Sequence, residues 1–325
     1  MEKNFWKELP KPFFALAPLA NVTDAAFRRI IAKYGKPDVF FTEFVSADGL
    51  VSPGRSVLLK DLQYSDAEHP IVAQLFTSHP EKMKEASALV ASLGFDGVDI
   101  NMGCPDRTVE KQGAGAALIK SKELAKELIR RAKEGAPSLP ISVKTRVGYN
   151  NREIETWIPA LLEEGISALT IHARTRKEMS KVPADWSDVR RVVEIRNEMC
   201  AETLIIGNGD VADLDDARLK AEESMADGVM LGRAIFGNPF LFSNSQEFEN
   251  RREPAVIRKY LEVVVEHTKL FEELFHSTKS FAVMKKHYKS YVEGFPGAKE
   301  LRLKLMEAKN ADEVEKTVSS WISKI

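Results

Sequence analysis

The stretch Gly97-Val98-Asp99-Ile100-Asn101-Met102-Gly103-Cys104-Pro105 opens as a short apolar run behind a glycine and closes in residues that break regular structure. Such a run reads as a buried strand that ends in a loop. It places Cys104 just past a strand end, where α/β folds carry their chemistry. A lone cysteine there is as readily a small buried hydrophobe as a chemical group, so its meaning depends on the rest of the chain.

Seven more runs of this kind flank it. Residues 13–18, 39–44 and 71–76 precede it; residues 140–146, 168–174, 203–210 and 228–233 follow. Between most of them lie helical patterns. Thr23 or Asp24 caps one that continues through Phe27, Ile30 and Ile31 to Gly35. Others cover 80–93, closing at Gly94, a Lys/Leu/Ala-rich segment after Gly113-Ala114-Gly115, 157–164, 186–196 and 214–226. The connection from the second run to about His69 reads as irregular. Eight strands, most of them followed by a helix, predict an α/β fold, a (β/α)8 TIM barrel. A doubly wound sheet would use fewer strands and a glycine fingerprint, and no G-x-G-x-x-G follows the first run.

Past Asn238-Pro239-Phe240 the pattern is helical only: Val256, Tyr260, Val263, Val264 and His267, then Phe281, Met284, Tyr288 and Tyr291. Gly294-Phe295-Pro296-Gly297 reads as a loop between helices. The expected organisation is a catalytic barrel over 1–242 and a small all-helical C-terminal domain over 243–325, with the boundary near 242–245.

Composition narrows the class. Of 325 residues, 44% are hydrophobic and 29% charged, which is ordinary globular usage. Cys104 and Cys200 are the only cysteines; they exclude a disulfide scaffold, suggest a reducing compartment and carry no metal-ligand spacing. The apolar run near the N-terminus is interrupted by Pro12 and Pro18, too short for a membrane span and unlike a signal peptide. A soluble, cytoplasmic protein with no membrane and no implied protein partner is expected. The net charge of −1 argues against a nonspecific nucleic-acid coat but leaves room for a local basic patch.

In a barrel the C-terminal strand ends share one face. Here that face collects Pro18, Glu43, Gln74, Asn101, Cys104, Lys144, His172, Asn208 and Arg233. A lysine within a buried strand is costly unless an anionic or electron-rich ligand is near, which makes Lys144 a ligand-binding candidate over one that merely reaches the rim. The loops after the seventh and eighth strands are the usual phosphate corner of such barrels. Gly207-Asn208-Gly209-Asp210 and Gly232-Arg233 supply close backbone N–H groups and a clamping guanidinium there. A phosphate at that corner, a lysine in mid-site and Gln74 on the third strand together suit flavin mononucleotide (FMN).

Several motifs also resemble the tRNA-dihydrouridine synthases. They are Ala17-Pro18-Leu19-Ala20-Asn21-Val22-Thr23-Asp24, Asp99-Ile100-Asn101-Met102-Gly103-Cys104-Pro105, His172-Ala173-Arg174-Thr175-Arg176, Pro183-Ala184-Asp185-Trp186, Gly207-Asn208-Gly209-Asp210 and Gly232-Arg233-Ala234-Ile235-Phe236-Gly237-Asn238-Pro239. Lys285-Lys286-His287 and Gly294-Phe295-Pro296-Gly297-Ala298 resemble that family's helical tail. The resemblance implies an FMN enzyme that reduces selected tRNA uridines, in the D-loop region, with NADPH as electron donor and NADH as the alternative. By the same resemblance Pro18, Leu19, Ala20, Gln74, Lys144, His172, Asn208, Gly209, Asp210, Gly232 and Arg233 hold FMN. Cys104 is the catalytic acid, and Asn101, Arg174 and Arg176 lie near the uracil or its nucleotide. Lys144 and His172 would stabilise charge on flavin and uracil oxygens.

The sequence departs from the family pattern at Leu19, where Met is common, and at Asn21, where Gly is frequent. It departs again over residues 179–182, which lack the usual Tyr and Gly. In the tail, Lys279, Lys285, Lys286, Lys289 and Arg302, interleaved with His287, Tyr288 and Tyr291, read either as a solvated charged face or as a basic patch for the tRNA backbone, in which Lys285 and Lys286 would be contacts. Two alternatives carry less weight: an FMN barrel reducing a small conjugated substrate, similar to dihydroorotate dehydrogenases or enoate reductases, and a tRNA-folding barrel without catalysis. Which uridine is reduced has no motif here.

Overall fold

A computed structural model describes residues 4–243, 246–248 and 250–324. Its strands are β1 (Phe13–Leu16), β2 (Phe40–Phe41), β3 (Val45–Ser46), β4 (Ile71–Phe76), β5 (Gly97–Met102), β6 (Ile141–Arg146), β7 (Ala168–His172), β8 (Leu204–Asn208) and β9 (Gly228–Leu231). All pairings are parallel, in the order β1-β9-β8-β7-β6-β5-β4-β2, with β3 also on β4. An isolated bridge from Ala15 to Val39 joins the two ends of that order into a barrel. Every residue of β4 and β5 is buried, which is why these strands read as predominantly apolar runs, broken by Gln74, Asp99 and Asn101, rather than as alternating ones.

The second run, expected as one strand over 39–44, is two. Between β2 and β3 the hydroxyl of Thr42 turns back to the Glu43 carbonyl (2.8 Å) and accepts the Gln74 N–H (3.1 Å). A side chain thus takes the place of a ladder carbonyl, and the strand breaks there. Eight staves remain, the second of them in two pieces. The connection to His69, expected as irregular, contains the short helices Ala47–Leu50 and Arg55–Leu58 and a turn at Asp66–Glu68.

The barrel floor is apolar. Trp6, 1% exposed, comes from the turn Phe5–Glu8 and packs with Phe13 and Phe41 among Val72, Ala168, Leu204 and Met230. Burying these side chains supplies the driving force, at roughly 25 cal/mol per Å² of apolar surface. The polar residues gather at the other ends of the strands.

The chain forms two compact units. The barrel unit comprises Met1–Leu19, Asp38–Gln63 and His69–Arg233; the other comprises Ala20–Pro37, Tyr64–Glu68 and Ala234–Ile325. The boundary expected near 242–245 falls partly on residues 244 and 245, which lie outside the described residues. Within the second unit, Asp24 caps the helix Ala25–Tyr34 by accepting the Phe27 N–H (3.0 Å). Phe27 stacks on His267 and His287, from the helices Pro254–Phe275 and Met284–Tyr291. Arg28 and Glu68 form a fully buried ion pair at 2.7 Å, and Arg28 also donates to the Thr23 carbonyl. Asn21, at the position where the sequence lacks a glycine, adopts φ +54°; asparagine is among the few side chains that tolerate this.

His287, Tyr288 and Tyr291 are buried, with the Tyr288 hydroxyl on Thr268 at 3.0 Å. The aromatic residues of the tail are therefore core and cannot stack on bases, contrary to an interleaved RNA-facing patch. Lys286 and Lys289 are exposed, Lys285 is half-buried, and Arg302 donates to the Val292 carbonyl.

Candidate active site

β4, β5 and β6 lie side by side, with Gln74 opposite Asp99, Asp99 opposite Ser142, and Asn101 opposite Lys144. The side chains form one connected set. Ser142 Oγ donates to Asp99 Oδ1 and Gln74 Nε2 to Asp99 Oδ2, each at 2.7 Å. Asn101 Nδ2 donates to Gln74 Oε1 (3.0 Å). Asn101 Oδ1 then accepts the N–H groups of Gly103 (3.1 Å) and Cys104 (2.9 Å), which shapes the loop that carries the thiol. Burial pushes the Cys104 thiol up from its ordinary value, opposed in part by the Asp106 N–H and by Arg146 and Lys144. The group is a protonated thiol at neutral pH and able to give up a proton.

Lys144 is lowered to about 8, first by burial and then by the Arg146 charge. Its ammonium makes one hydrogen bond to protein, to Asn208 Oδ1 at 3.1 Å, which leaves two of its three donors for a ligand. Asn208 Nδ2 in turn donates to the Met230 carbonyl (2.8 Å), so the amide orientation is set from both ends.

On the next strand His172 faces Arg174. Arg174 Nη1 lies 3.2 Å from His172 Nε2; a guanidinium cannot accept, so Nε2 is the acceptor and the ring proton sits on Nδ1. Burial and four surrounding cations hold His172 well below its usual range. It acts as a neutral hydrogen-bond donor, not as the cation that would offset charge directly. Arg174 is 2% exposed and also donates to the Val182 carbonyl (2.6 Å) and to Asp210. Asp210 also receives Arg233 Nη2 (2.6 Å) and the Ala184 N–H (3.0 Å). Asp210 is therefore the hub of the β8 and β9 loops, and Arg233, paired to it with its side chain mostly exposed, keeps donors that face outward.

Arg176 pairs with Glu110 and lies over the Tyr149 ring, with Lys120 on that ring as well. It ties the loop after β7 to the helix Arg107–Lys111 beyond Cys104. Residues 179–182 are pinned by two arginines: Arg146 donates to the Met179 carbonyl and Arg174 to that of Val182.

The glycines of the two loops divide. A Cβ on Gly207 would meet the Trp186 ring at 2.2 Å, so that glycine is required by packing, and Trp186 Nε1 donates to the Gly209 carbonyl. A Cβ on Gly232 would meet only Ala17 Cβ, at an ordinary contact distance of 3.7 Å. The protein itself does not require glycine there.

Pro18 and Leu19 follow β1 in the barrel unit, whereas Ala20, Lys285 and Lys286 belong to the second unit. Two residues of the site were not among the sequence candidates. Asp99 is the buried carboxylate described above. Arg146 is buried, lowered to about 10, and bonds the carbonyls of Gly103 (2.8 Å), Thr175 and Met179 (both 3.1 Å). Both are charged residues inside buried strands, the signal that singled out Lys144. Among the described residues no group of three or more His, Cys, Asp or Glu could hold a metal ion, and no helix is long and apolar enough to cross a membrane.

A closed parallel barrel with a protonated thiol and a buried lysine among the polar side chains at its C-terminal rim defines a (β/α)8 enzyme. A family model described as dihydrouridine synthase (Dus) matches residues 15–325. The chain is 40% identical over 317 residues to a probable tRNA-dihydrouridine synthase 2 of Bacillus subtilis, covering 97% of this chain and 95% of that one. It is 41% identical to a probable tRNA-dihydrouridine synthase of Staphylococcus aureus, covering 96% and 94%. The chain belongs to the dihydrouridine synthase family and is an oxidoreductase. Among solved structures, the fold is similar to that of a histamine dehydrogenase from Rhizobium sp. 4-9 (TM-score 0.54, 13% identity, 79% of this chain and 48% of that one). It is similar too to a 6-hydroxypseudooxynicotine amine oxidase from Pseudomonas geniculata N1 (TM-score 0.54, 12%, 82% and 53%).

Proposed function

We propose that the protein reduces the C5=C6 bond of specific tRNA uridines, in the D-loop region, to dihydrouridine, with FMN held in the barrel and NADPH, or alternatively NADH, as electron donor, in the cytoplasm. The observation that carries the mechanism is Cys104: a thiol kept protonated by burial, on a loop held by Asn101 at the end of β5.

The residues present fit the cofactor. Packing does not require glycine at 232, where a Cβ would make only an ordinary contact, so its bare backbone is suited to a phosphate's close approach, with Arg233 beside it and paired to Asp210 at the end of the neighbouring strand's loop, which carries Asn208 and Gly209 as well. Lys144 has two donors to spare for an electron-rich ring edge, and Gln74 retains one N–H. Pro18, Leu19, Ala20 and His172 complete the set. FMN, when bound and reduced, supplies the hydride that uracil accepts at C6. Cys104 gives its thiol proton to C5, where the carbanion character develops. The His172 Nδ1–H donates to a uracil carbonyl oxygen, while Asn101 fixes where the Cys104 backbone stands. Arg176, poised on Glu110, and Arg174 order the nucleotide side of the site. Lys285 and Lys286 meet the phosphate backbone. The target base must leave its stack to reach this depth.

The test is anaerobic. The protein is reduced under argon and unmodified tRNA is added; flavin bands should return with dihydrouridine in the digest. Bands that return with orotate or an enoate but not with tRNA would instead assign a small-molecule reductase.

A further inference from the structure

The dihydrouridine reading uses Gln74, Asn101 and Cys104 but gives no role to Asp99. Yet Asp99 is wholly buried at the centre of β5, and neither of its hydrogen-bond partners is a cation. Leaving a carboxylate there costs the fold free energy that an apolar residue would not cost.

We propose that Asp99 is a positioning residue for the reaction: it sets the orientation of the Gln74 and Asn101 side-chain amides and, through them, holds the backbone of the Cys104 loop. The proposal rests on Cys104 being the proton donor.

The argument is one of donors and acceptors. A side-chain amide offers N–H groups at one end and an oxygen at the other, and either end can face a given neighbour. An ionised carboxylate accepts only. Asp99 Oδ2 therefore fixes the Gln74 amide with its Nε2 inward, at 2.7 Å. Gln74 Oε1 is then turned toward Asn101, which must answer with Nδ2, at 3.0 Å. That leaves Asn101 Oδ1 for the N–H groups of Gly103 and Cys104, at 3.1 and 2.9 Å. The far end demands the same order, because two backbone N–H groups can be met only by an oxygen. Both ends of the chain agree, and reversing any link sets donor against donor. Ser142 Oγ occupies the other Asp99 oxygen (2.7 Å) and Thr42 Oγ1 holds the Gln74 backbone N–H (3.1 Å), so neither Asp99 nor Gln74 is loosely placed. Asp99, Gln74 and Ser142 stand in one row across three adjacent strands, which makes the row as rigid as the barrel wall.

The relay predicts that losing the acceptor, not the charge, is what matters. Asp99→Leu removes the acceptor and frees the Gln74 amide to turn, and with it the Cys104 loop. Asp99→Asn keeps an oxygen for Gln74 Nε2 and can turn its N–H group to Ser142 Oγ, a hydroxyl that also accepts, so it preserves the order. The measurement is amide hydrogen exchange of the peptide containing Gly103 and Cys104, on the purified full chain without tRNA. Exchange in D99L should be about tenfold faster or more, and in D99N should stay within about threefold of the parent. In the loaded D99L enzyme, kcat for tRNA reduction should fall about tenfold or more while the tRNA KM stays within about twofold. Unchanged exchange in D99L overturns the relay, as does D99N exchanging as fast as D99L. Should D99L fail to fold, Gln74→Leu breaks the same relay and is read in its place: it should exchange about tenfold faster or more, and unchanged exchange there overturns the relay. Loss of the proton-donor reading would show separately, as full tRNA reduction by Cys104→Ala with normal exchange in the parent.

Discussion

Lys144 Nζ donates to Asn208 Oδ1 at 3.1 Å, and this single bond joins the buried cation on β6 to the end of β8, where the Gly209-Asp210 loop begins. Burial and the neighbouring Arg146 lower the ammonium to about 8. A lysine so lowered is charged below that value and neutral above it. Uridine reduction should therefore fall as pH rises through about 8. Lys144→Arg, whose charge persists, should move that limb upward even as kcat drops. A pH–rate profile of reduced enzyme with tRNA decides it.

Two glycines separate packing from ligand approach. Gly207→Ala drives a methyl into Trp186 and should cost about 1–3 kcal/mol in urea denaturation of the apoprotein. Gly232→Ala adds a methyl at an ordinary contact distance from Ala17 and should leave the apoprotein's stability within about 1 kcal/mol of the parent. Its FMN affinity should nonetheless fall about tenfold or more, read by fluorescence quenching on titration, because the methyl occupies the phosphate cradle.

Arg146 gathers three carbonyls from the Cys104 loop and the loop after β7. Arg146→Ala should lower stability by about 2–4 kcal/mol and reduce kcat. Arg146→Lys keeps the charge without the fork and should recover only part of each. Equilibrium urea unfolding and single-turnover kinetics on the same preparations report both effects.

Strands β4 to β9 are legible because parallel strands buried on both faces are predominantly apolar, and the polar residues toward their C-terminal ends mark the site face. The split of the second stave was not: it depends on the Thr42 hydroxyl finding the Gln74 N–H, 32 residues away. Asp99 stood in plain view as a charge in the apolar run 97–100, and Arg146 lies two residues beyond Lys144, on the same face of β6. What pairs them, Ser142 and Gln74 for one and the carbonyls of residues 103, 175 and 179 for the other, is set by strand register. The helix Ala25–Tyr34 reads as a barrel helix by its position in the chain. Phe27, however, packs on His267, 240 residues on, and no local pattern reports that. For the same reason the tail's histidine and tyrosines looked like a basic-aromatic patch when they are core.

That core sets an acid limit. Burial lowers His287 to about 3 and His267 well below its usual range, and the two rings meet edge to face beside Phe27 and Tyr291. Both imidazoles charge readily only in the unfolded chain, near pH 6.5, so the unfolded state binds more protons below that value. Stability of the helical unit should be full above about 6.5 and fall on acidification, by up to about 1.4 kcal/mol per pH unit for each imidazole. Hydrogen exchange across Pro254–Phe275 at pH 7, 6 and 5 should show that decline, and His287→Phe should shallow it.

The account turns on the Cys104 proton. The most direct measurement is single-turnover reaction of anaerobically reduced parent and Cys104→Ala protein with unmodified tRNA, following flavin absorbance and dihydrouridine in the digest. Cys104→Ala should bind flavin as the parent does yet form dihydrouridine at least about a hundredfold more slowly, the scale of a lost general acid. Dihydrouridine forming at the parent's rate in that variant would contradict the assignment of the proton to Cys104.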